Sequence, residues 1–273
     1  MDIIIASSRG EGLETELKKH HPSPNHVKVI FSSGARINNI KYTAMSIAKQ
    51  NPHQNIHFYV LGGYCDVSER ISYHIKTGHS SKKYEEFVFE EDPESAVPRV
   101  SGLIDDASRL MNTTNTTPVF CTIAPSYLHT WNKIRLSQHQ TCMLKHNDQQ
   151  YQDMQKNMIY SIVEINKHIV RTNISNNMHT PKLADVVIRK KGKGRGYRLF
   201  ADKFRDGVHP TDETRERWAE LILSAIKINR TPSPSMALSK RPAASHSDSG
   251  SECEHDSSKS KKRSKFNTER KKF

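Results

Sequence analysis

Short β-branched runs, each about a helix's length from the next, limit what this chain can fold into more than any other feature. The strand candidates are DIIIAS (2–7), VKVIFSS (27–33), IHFYVLGG (56–63), PVFCTIAPS (118–126) and ADVVIRK (184–190). Parallel neighbours need a crossover of a dozen or more residues, usually helical, and strands buried on both faces read as near-continuous apolar runs. The pattern predicts an α/β domain of three layers, a doubly wound parallel sheet between two layers of helices.

The intervals carry helical periodicity. Ile40, Ala44, Ile47 and Ala48 fall on one face, as do Val100, Leu103, Ile104, Ala107 and Leu110, and then Met154, Met158, Ile162, Ile165 and Ile169. Thr211 stands as the cap of a last helix, with Thr214 at the capping-box position and Trp218, Leu221, Ile222, Ala225 and Ile226 on its buried side. The segment 73–95 is long for a connection in such a domain and is expected to be a lid or hairpin bordering the site.

Composition divides the chain. Residues 230–273 are mostly Ser, Pro and charged types, too poor in apolar side chains to offset the entropy of ordering. A folded body, 1–229, and a disordered tail are expected. The tail carries 11 Lys and Arg against 5 Asp and Glu, so a small part of the chain supplies nearly half of the net charge of +13. Such density favours anionic partners. Its basic clusters at 240–244 and 259–265 read as a nuclear localisation signal for an import receptor, which places the protein in the nucleus or shared with the cytoplasm. Ser249 and Ser251 each precede an acidic residue by three, where phosphorylation would add negative charge beside that signal.

Cys65, Cys121, Cys142 and Cys253 have neither a paired nor a metal-ligand spacing, and His20, His21, His139 and His146 add no zinc pattern to them. No metal, cofactor or disulfide framework is expected. The amino terminus lacks a charged region followed by an apolar core, and no run reaches the ~20 apolar residues of a membrane span, so neither secretion nor a membrane partner is expected.

In an open parallel sheet the ligand crevice lies beyond the carboxyl ends of the strands. The loops expected there hold ASSRGEG with Ser7 and Ser8, SSGAR with Gly34, and GGYCD with Cys65 and Asp66; DGVH, with Asp206 and His209, precedes the last helix. An Asp that orients a His is the back half of a nucleophilic triad. In this order the four motifs resemble those of the SGNH (GDSL-type) hydrolases, and particularly the divergent SGNH domains of eukaryotic retroelements, from about residue 2 to about 226.

The resemblance implies a flavodoxin-like SGNH fold and a serine esterase acting on small ester or acetyl groups. It makes Ser8 the nucleophile, His209 the base and Asp206 its orienting partner, with an oxyanion hole from the N–H groups of Ser8 and Gly34 and the side chain at 65. Two positions depart from the family: Ser7 stands where it has Asp, and Cys65 where it has an Asn donor. A thiol donates poorly. A second reading therefore stands beside the first, a catalytically silent module that binds a protein or nucleic acid. For nucleic acid the candidates are Arg189, Lys190, Lys191, Lys193, Arg195 and Arg198, with Tyr197 available for stacking.

Overall fold

Four parallel strands make the central sheet: β1 (Asp2–Ala6), β2 (Val27–Phe31), β3 (Ile56–Leu61) and, numbered in chain order, β6 (Thr116–Phe120). Their order is β2-β1-β3-β6, with Ile4 of β1 in register with Val29 on one side and Tyr59 on the other. The computed structural model describes residues 1–21, 27–77, 80–89, 91–138, 146–192 and 196–231. The expected tail beyond Thr231 lies outside them, as do Lys193, Arg195, His139, Cys142 and Cys253.

Alternation along the strands builds the layers. Ile3 and Ile5 of β1, with Ile56, Phe58 and Val60 of β3, enter one core with α2 (Ile37–Gln50), α4 (Pro93–Met111) and α6 (Asp148–Ser175). Ile4 and Ala6, with Tyr59 and Leu61, enter the opposite core with α1 (Leu13–His20) and α8 (Asp212–Arg230). The expected stripes fall on these cores: Ile40 and Ala44 of α2, Val100, Ile104 and Ala107 of α4, and Met158, Ile162, Ile165 and Ile169 of α6 are buried. On α8, Trp218, Ile222, Ala225 and Ile226 are buried, and the Thr211 side chain accepts from the Thr214 N–H at the first turn.

The fifth run, expected as a parallel strand over 184–190, does not join the sheet. Ala184–Val187 is a short helix, α7, and Ile188–Lys190 is a short strand, β7, that pairs antiparallel with β8 (Tyr197–Leu199). The edge it was expected to cover is closed by side chains. The Asn173 carboxamide of α6 accepts from the Phe120 N–H at 2.9 Å and donates to the Phe120 carbonyl at 2.7 Å; Asn166 does the same for Ile123 at 2.7 and 2.9 Å. Each amide imitates one peptide group of a neighbouring strand, so the buried backbone is satisfied without one. The fourth run is likewise shorter as strand than expected, ending at Phe120, with residues 121–127 continuing irregularly.

The long connection after β3 begins with a helical turn, α3 (Tyr64–Val67), and then forms the hairpin β4 (Glu69–Thr77) and β5 (Ser80–Val88), antiparallel throughout. It opens four residues before the predicted segment. Asn132 of α5 (Leu128–Gln138) bonds both backbone groups of Phe87 at 3.0 and 2.8 Å, which fastens the hairpin's base to the body. No helix among the described residues is long and apolar enough to cross a membrane.

Candidate active site

Three loops leave the carboxyl ends of β1, β2 and β3 side by side. The Ser7 N–H donates to the Leu61 carbonyl and the Ser32 N–H to that of Ala6, each at 3.0 Å, so the first loop is stitched to both neighbours. Ser8 then opens a single tight turn, Ser8–Gly10. Gly10 is required there because a Cβ would lie 2.3 Å from that of Ala6. Gly34 sits in the left-handed region at φ +72° with open space beside it. Gly63, at φ +95°, turns the chain into α3 and so presents Cys65 and Asp66.

Asp66 is buried and accepts from the Ile37 N–H at 2.9 Å, tying the third loop to the start of α2. Burial pushes its carboxyl up, with the Ile37 N–H, Arg36 and Arg99 acting against that.

The fourth motif is a closed turn. Phe204 and Pro210 bridge as isolated antiparallel partners, and the Arg205 N–H donates to the His209 carbonyl at 2.8 Å. Inside it, Asp206 Oδ1 accepts from the backbone N–H groups of Val208 at 3.0 Å and His209 at 2.7 Å, while Oδ2 meets His209 Nδ1 at 2.7 Å. Burial alone would raise the Asp206 carboxyl, but the His209 side chain and these two N–H groups hold it well below the usual carboxylate range. An ionised Asp206 needs a proton on Nδ1, which leaves Nε2 of the neutral imidazole as an acceptor.

Gly207 keeps this turn against α5. Its φ is +87°, and a Cβ would meet the Tyr127 carbonyl oxygen at 2.6 Å and the Trp131 nitrogen at 2.8 Å, both backbone atoms that cannot swing aside. Gly207→Ala is expected to cost about 2–4 kcal/mol, the sum of a left-handed penalty and overpacking. Chemical denaturation checks this, and a change under 1 kcal/mol, roughly an ordinary surface substitution, would contradict it.

Ser8, Gly34, Cys65 and His209 line one cavity of about 280 Å³. The residues picked out by sequence therefore converge, with Asp206 hydrogen-bonded behind His209. Cys65 is half-buried, and burial raises its thiol, outweighing the pull of Arg9 and Arg36. A protonated thiol is a poor nucleophile, which argues against Cys65 as a rival to Ser8.

Sequence reasoning missed Arg9, the residue after Ser8. Only 3% exposed, it places its guanidinium 3.9 Å from the Tyr64 ring centre and donates to the Ala124 carbonyl and the Ser126 hydroxyl. It also missed Trp131 of α5, which packs edge-on against Phe87 at 4.3 Å on the cavity wall. An arginine directly after the candidate nucleophile was the one available signal.

Arg189, Lys190, Lys191 and Arg198 lie elsewhere, on and beside β7 and β8. Arg189 and Arg198 are in register across the two strands, their guanidinium carbons 5.6 and 5.3 Å from the Phe200 ring centre. His20 meets Glu16 and Glu216 between α1 and α8, the one cluster of metal-ligating type among the described residues, and there Lys19 already holds Glu16 at 2.9 Å.

No protein-family model and no curated protein matches the sequence. Solved structures do. A protein of Bacteroides fragilis assigned as an acylhydrolase aligns at a TM-score of 0.52 with 14% identity, over 83% of this chain and 86% of its own. A GDSL-like lipase of Bacteroides thetaiotaomicron aligns at 0.52 with 14% identity, over 83% and 87%. Sheet order, helical layers and these superpositions agree: the chain has the fold of the SGNH (GDSL-type) hydrolases.

Proposed function

We propose that the protein is an SGNH-type serine esterase that acts on small ester or acetyl groups. The observation that carries this reading is that His209, hydrogen-bonded to Asp206, lines the same cavity as Ser8. Ser8 Oγ attacks the ester carbonyl as His209 Nε2 takes its proton; the C–O bond to the alcohol breaks, and the alcohol leaves with that proton. Water then repeats the sequence, its hydroxyl going to the acyl carbon and its proton returning through His209 to Ser8. The N–H groups of Ser8 and Gly34 stabilise the oxyanion.

Cys65 makes this a slow enzyme. Losing one oxyanion donor typically costs about 10²- to 10³-fold in turnover. Cys65→Asn is therefore expected to raise kcat by at least about tenfold, part of that range; no gain in a folded variant would contradict the assignment of position 65. The reading as a whole is tested by release of fluorophore from 4-methylumbelliferyl acetate and butyrate. Turnover that disappears in Ser8→Ala supports it, and turnover unchanged by that substitution removes Ser8 from the chemistry.

The second reading, a nucleic-acid-binding module, draws on Arg189 and Arg198 flanking Phe200, a cationic and aromatic surface of the kind that grips phosphates and stacks bases. It predicts salt-sensitive binding of single-stranded oligonucleotides that weakens in Arg189→Gln. Residues 259–265 would serve as the import signal that brings either activity to the nucleus.

A further inference from the structure

Ser8 stands on a segment with little local structure to hold it. The turn Ser8–Gly10 is three residues long, and the Ser7 side chain does not cap it. Its backbone is closed on itself by the Gly10 N–H, which donates to the Ser7 carbonyl at 2.9 Å, and the Glu11 N–H, which donates to the Ser8 carbonyl at 3.1 Å. Gly12 then turns the chain at φ +76° before α1 begins. So short a turn is weakly held by its own hydrogen bonds.

The side chain of Arg9 ties this turn to the body. One terminal nitrogen donates to the Ala124 carbonyl and the other to the Ser126 hydroxyl, on the stretch that follows β6. The guanidinium carbon lies 3.9 Å from the ring centre of Tyr64, in the turn that presents Cys65, and 6.0 Å from that of Phe204, where the Asp206–His209 turn opens. These partners are themselves fixed. Gln155 of α6 donates to the Ser126 carbonyl at 2.7 Å and accepts from the Leu128 N–H at 2.9 Å, and the Tyr127 N–H donates to the Gly207 carbonyl at 2.7 Å. One side chain thus joins the turn of Ser8 to the loop of Cys65 and to the stretch that holds the Asp206–His209 turn.

Two other roles do not account for this residue. As a ligand contact Arg9 is poorly placed: it is 3% exposed, its terminal nitrogens are bonded to protein oxygens and its Nε is buried. Packing alone does not call for an arginine either, because an apolar side chain of similar volume fills such a space without the cost of burying a cation. Among the described residues no carboxylate forms an ion pair with it, and Asp206 acts on its charge through space.

We infer that Arg9 is the positioning residue of the nucleophile, holding the turn of Ser8 in place on the cavity wall that His209 shares. It acts through Ser8 and does not touch the substrate. An arginine suits this task where a lysine does not: the planar fork reaches two acceptors while its face lies on an aromatic ring, and an ammonium is a single point of charge. The inference rests on the esterase reading and adds what keeps its serine in register.

The test measures kcat and KM on 4-methylumbelliferyl butyrate, per folded molecule, for the wild type, Arg9→Lys and Ser126→Ala, with the folded fraction taken from circular dichroism. A misplacement of about 1 Å can cost about 10²-fold in rate. Arg9→Lys is expected to lose about that factor in kcat, with KM little changed and fluorophosphonate labelling of Ser8 slowed in parallel. Ser126→Ala, which removes one of the two acceptors, is expected to lose about tenfold, part of the same range. A folded Arg9→Lys that keeps the wild-type kcat, or whose loss lies in KM alone, overturns the inference and leaves the esterase standing. Should Arg9→Lys fail to fold, Ser126→Ala decides, and an unchanged kcat there overturns the inference. A wild type that neither hydrolyses the ester nor reacts with the fluorophosphonate removes the esterase reading and this inference with it.

Discussion

His209→Ala is expected to lower kcat on the butyrate ester by about 10⁴- to 10⁶-fold, as in serine hydrolases stripped of their base. The imidazole is the group that moves the serine proton, and among the described residues lining the cavity no other group can take it: Arg9 is held as a cation by its own chemistry and the Cys65 thiol is raised by burial. Folding should be little affected. Asp206 keeps its two backbone donors after the imidazole is gone, so the turn survives while its chemistry does not. Asp206→Asn should lose about 10⁴-fold by leaving the wrong tautomer on His209.

The direction of the Asp206 shift bears on the acid side of the stability profile. A carboxyl depressed on folding contributes stability above its unfolded value, near about 3.9, and loses that contribution as pH falls through the folded value. The Asp206–His209 arrangement therefore persists across the whole range above about pH 4, the unfolded carboxyl value. Stopped assays across pH check the first prediction, and a loss under about tenfold in His209→Ala, far below that expected for a missing base, would contradict it.

Trp218→Ala is expected to cost about 3–5 kcal/mol of folding stability. Trp218 is fully buried between α8 and the sheet, and its Nε1 donates to the Leu183 carbonyl at 3.1 Å. Truncation leaves a cavity lined by the residues of that core and an orphaned carbonyl at the start of α7. A domain of this size holds only about 5–15 kcal/mol in reserve, so the loss is a large share of the total. Because α8 follows directly on the Asp206–His209 turn, activity should fall with the folded fraction and return when the variant is assayed cold or with a stabilising osmolyte. The midpoint of urea unfolding measures the effect. Trp218→Phe should retain more than half of it.

The parts of the fold that could be read beforehand are those whose environment is uniform along the sequence. β1 and β3 are largely buried on both faces and appear as near-continuous apolar runs, interrupted in β3 by His57; α6 and α8 repeat a single stripe against one core. ADVVIRK misled because β-branched residues satisfy either strand or helix over so short a run, and burial of Leu183, Ala184 and Val187 against Trp218 settled it as a helical turn. That the sheet needs no fifth strand depends on Asn166 and Asn173, and nothing local distinguishes an asparagine that closes a sheet edge from one on a helix surface. The helix α5 went unread because only Leu128, Trp131 and Asn132 among its described side chains are buried, one of them polar.

The site divides in the same way. Ser8, Gly34, Cys65, Asp206 and His209 are legible because each sits in a short motif beside a strand end or helix start. Arg9 reads as an ordinary surface charge until Tyr64 and the stretch carrying Ala124 and Ser126 arrive from far along the chain to bury it. Its place at the cavity depends on tertiary packing, which is why the cationic character of the wall emerges only from the folded chain.

The most direct test of the central claim is the reaction of the full chain with a fluorophosphonate, followed by intact mass and by mapping of the modified peptide. A single adduct on Ser8 is expected, absent in Ser8→Ala and strongly slowed in His209→Ala. A folded wild-type protein that forms no adduct, or one whose adduct lies on another residue, would contradict it.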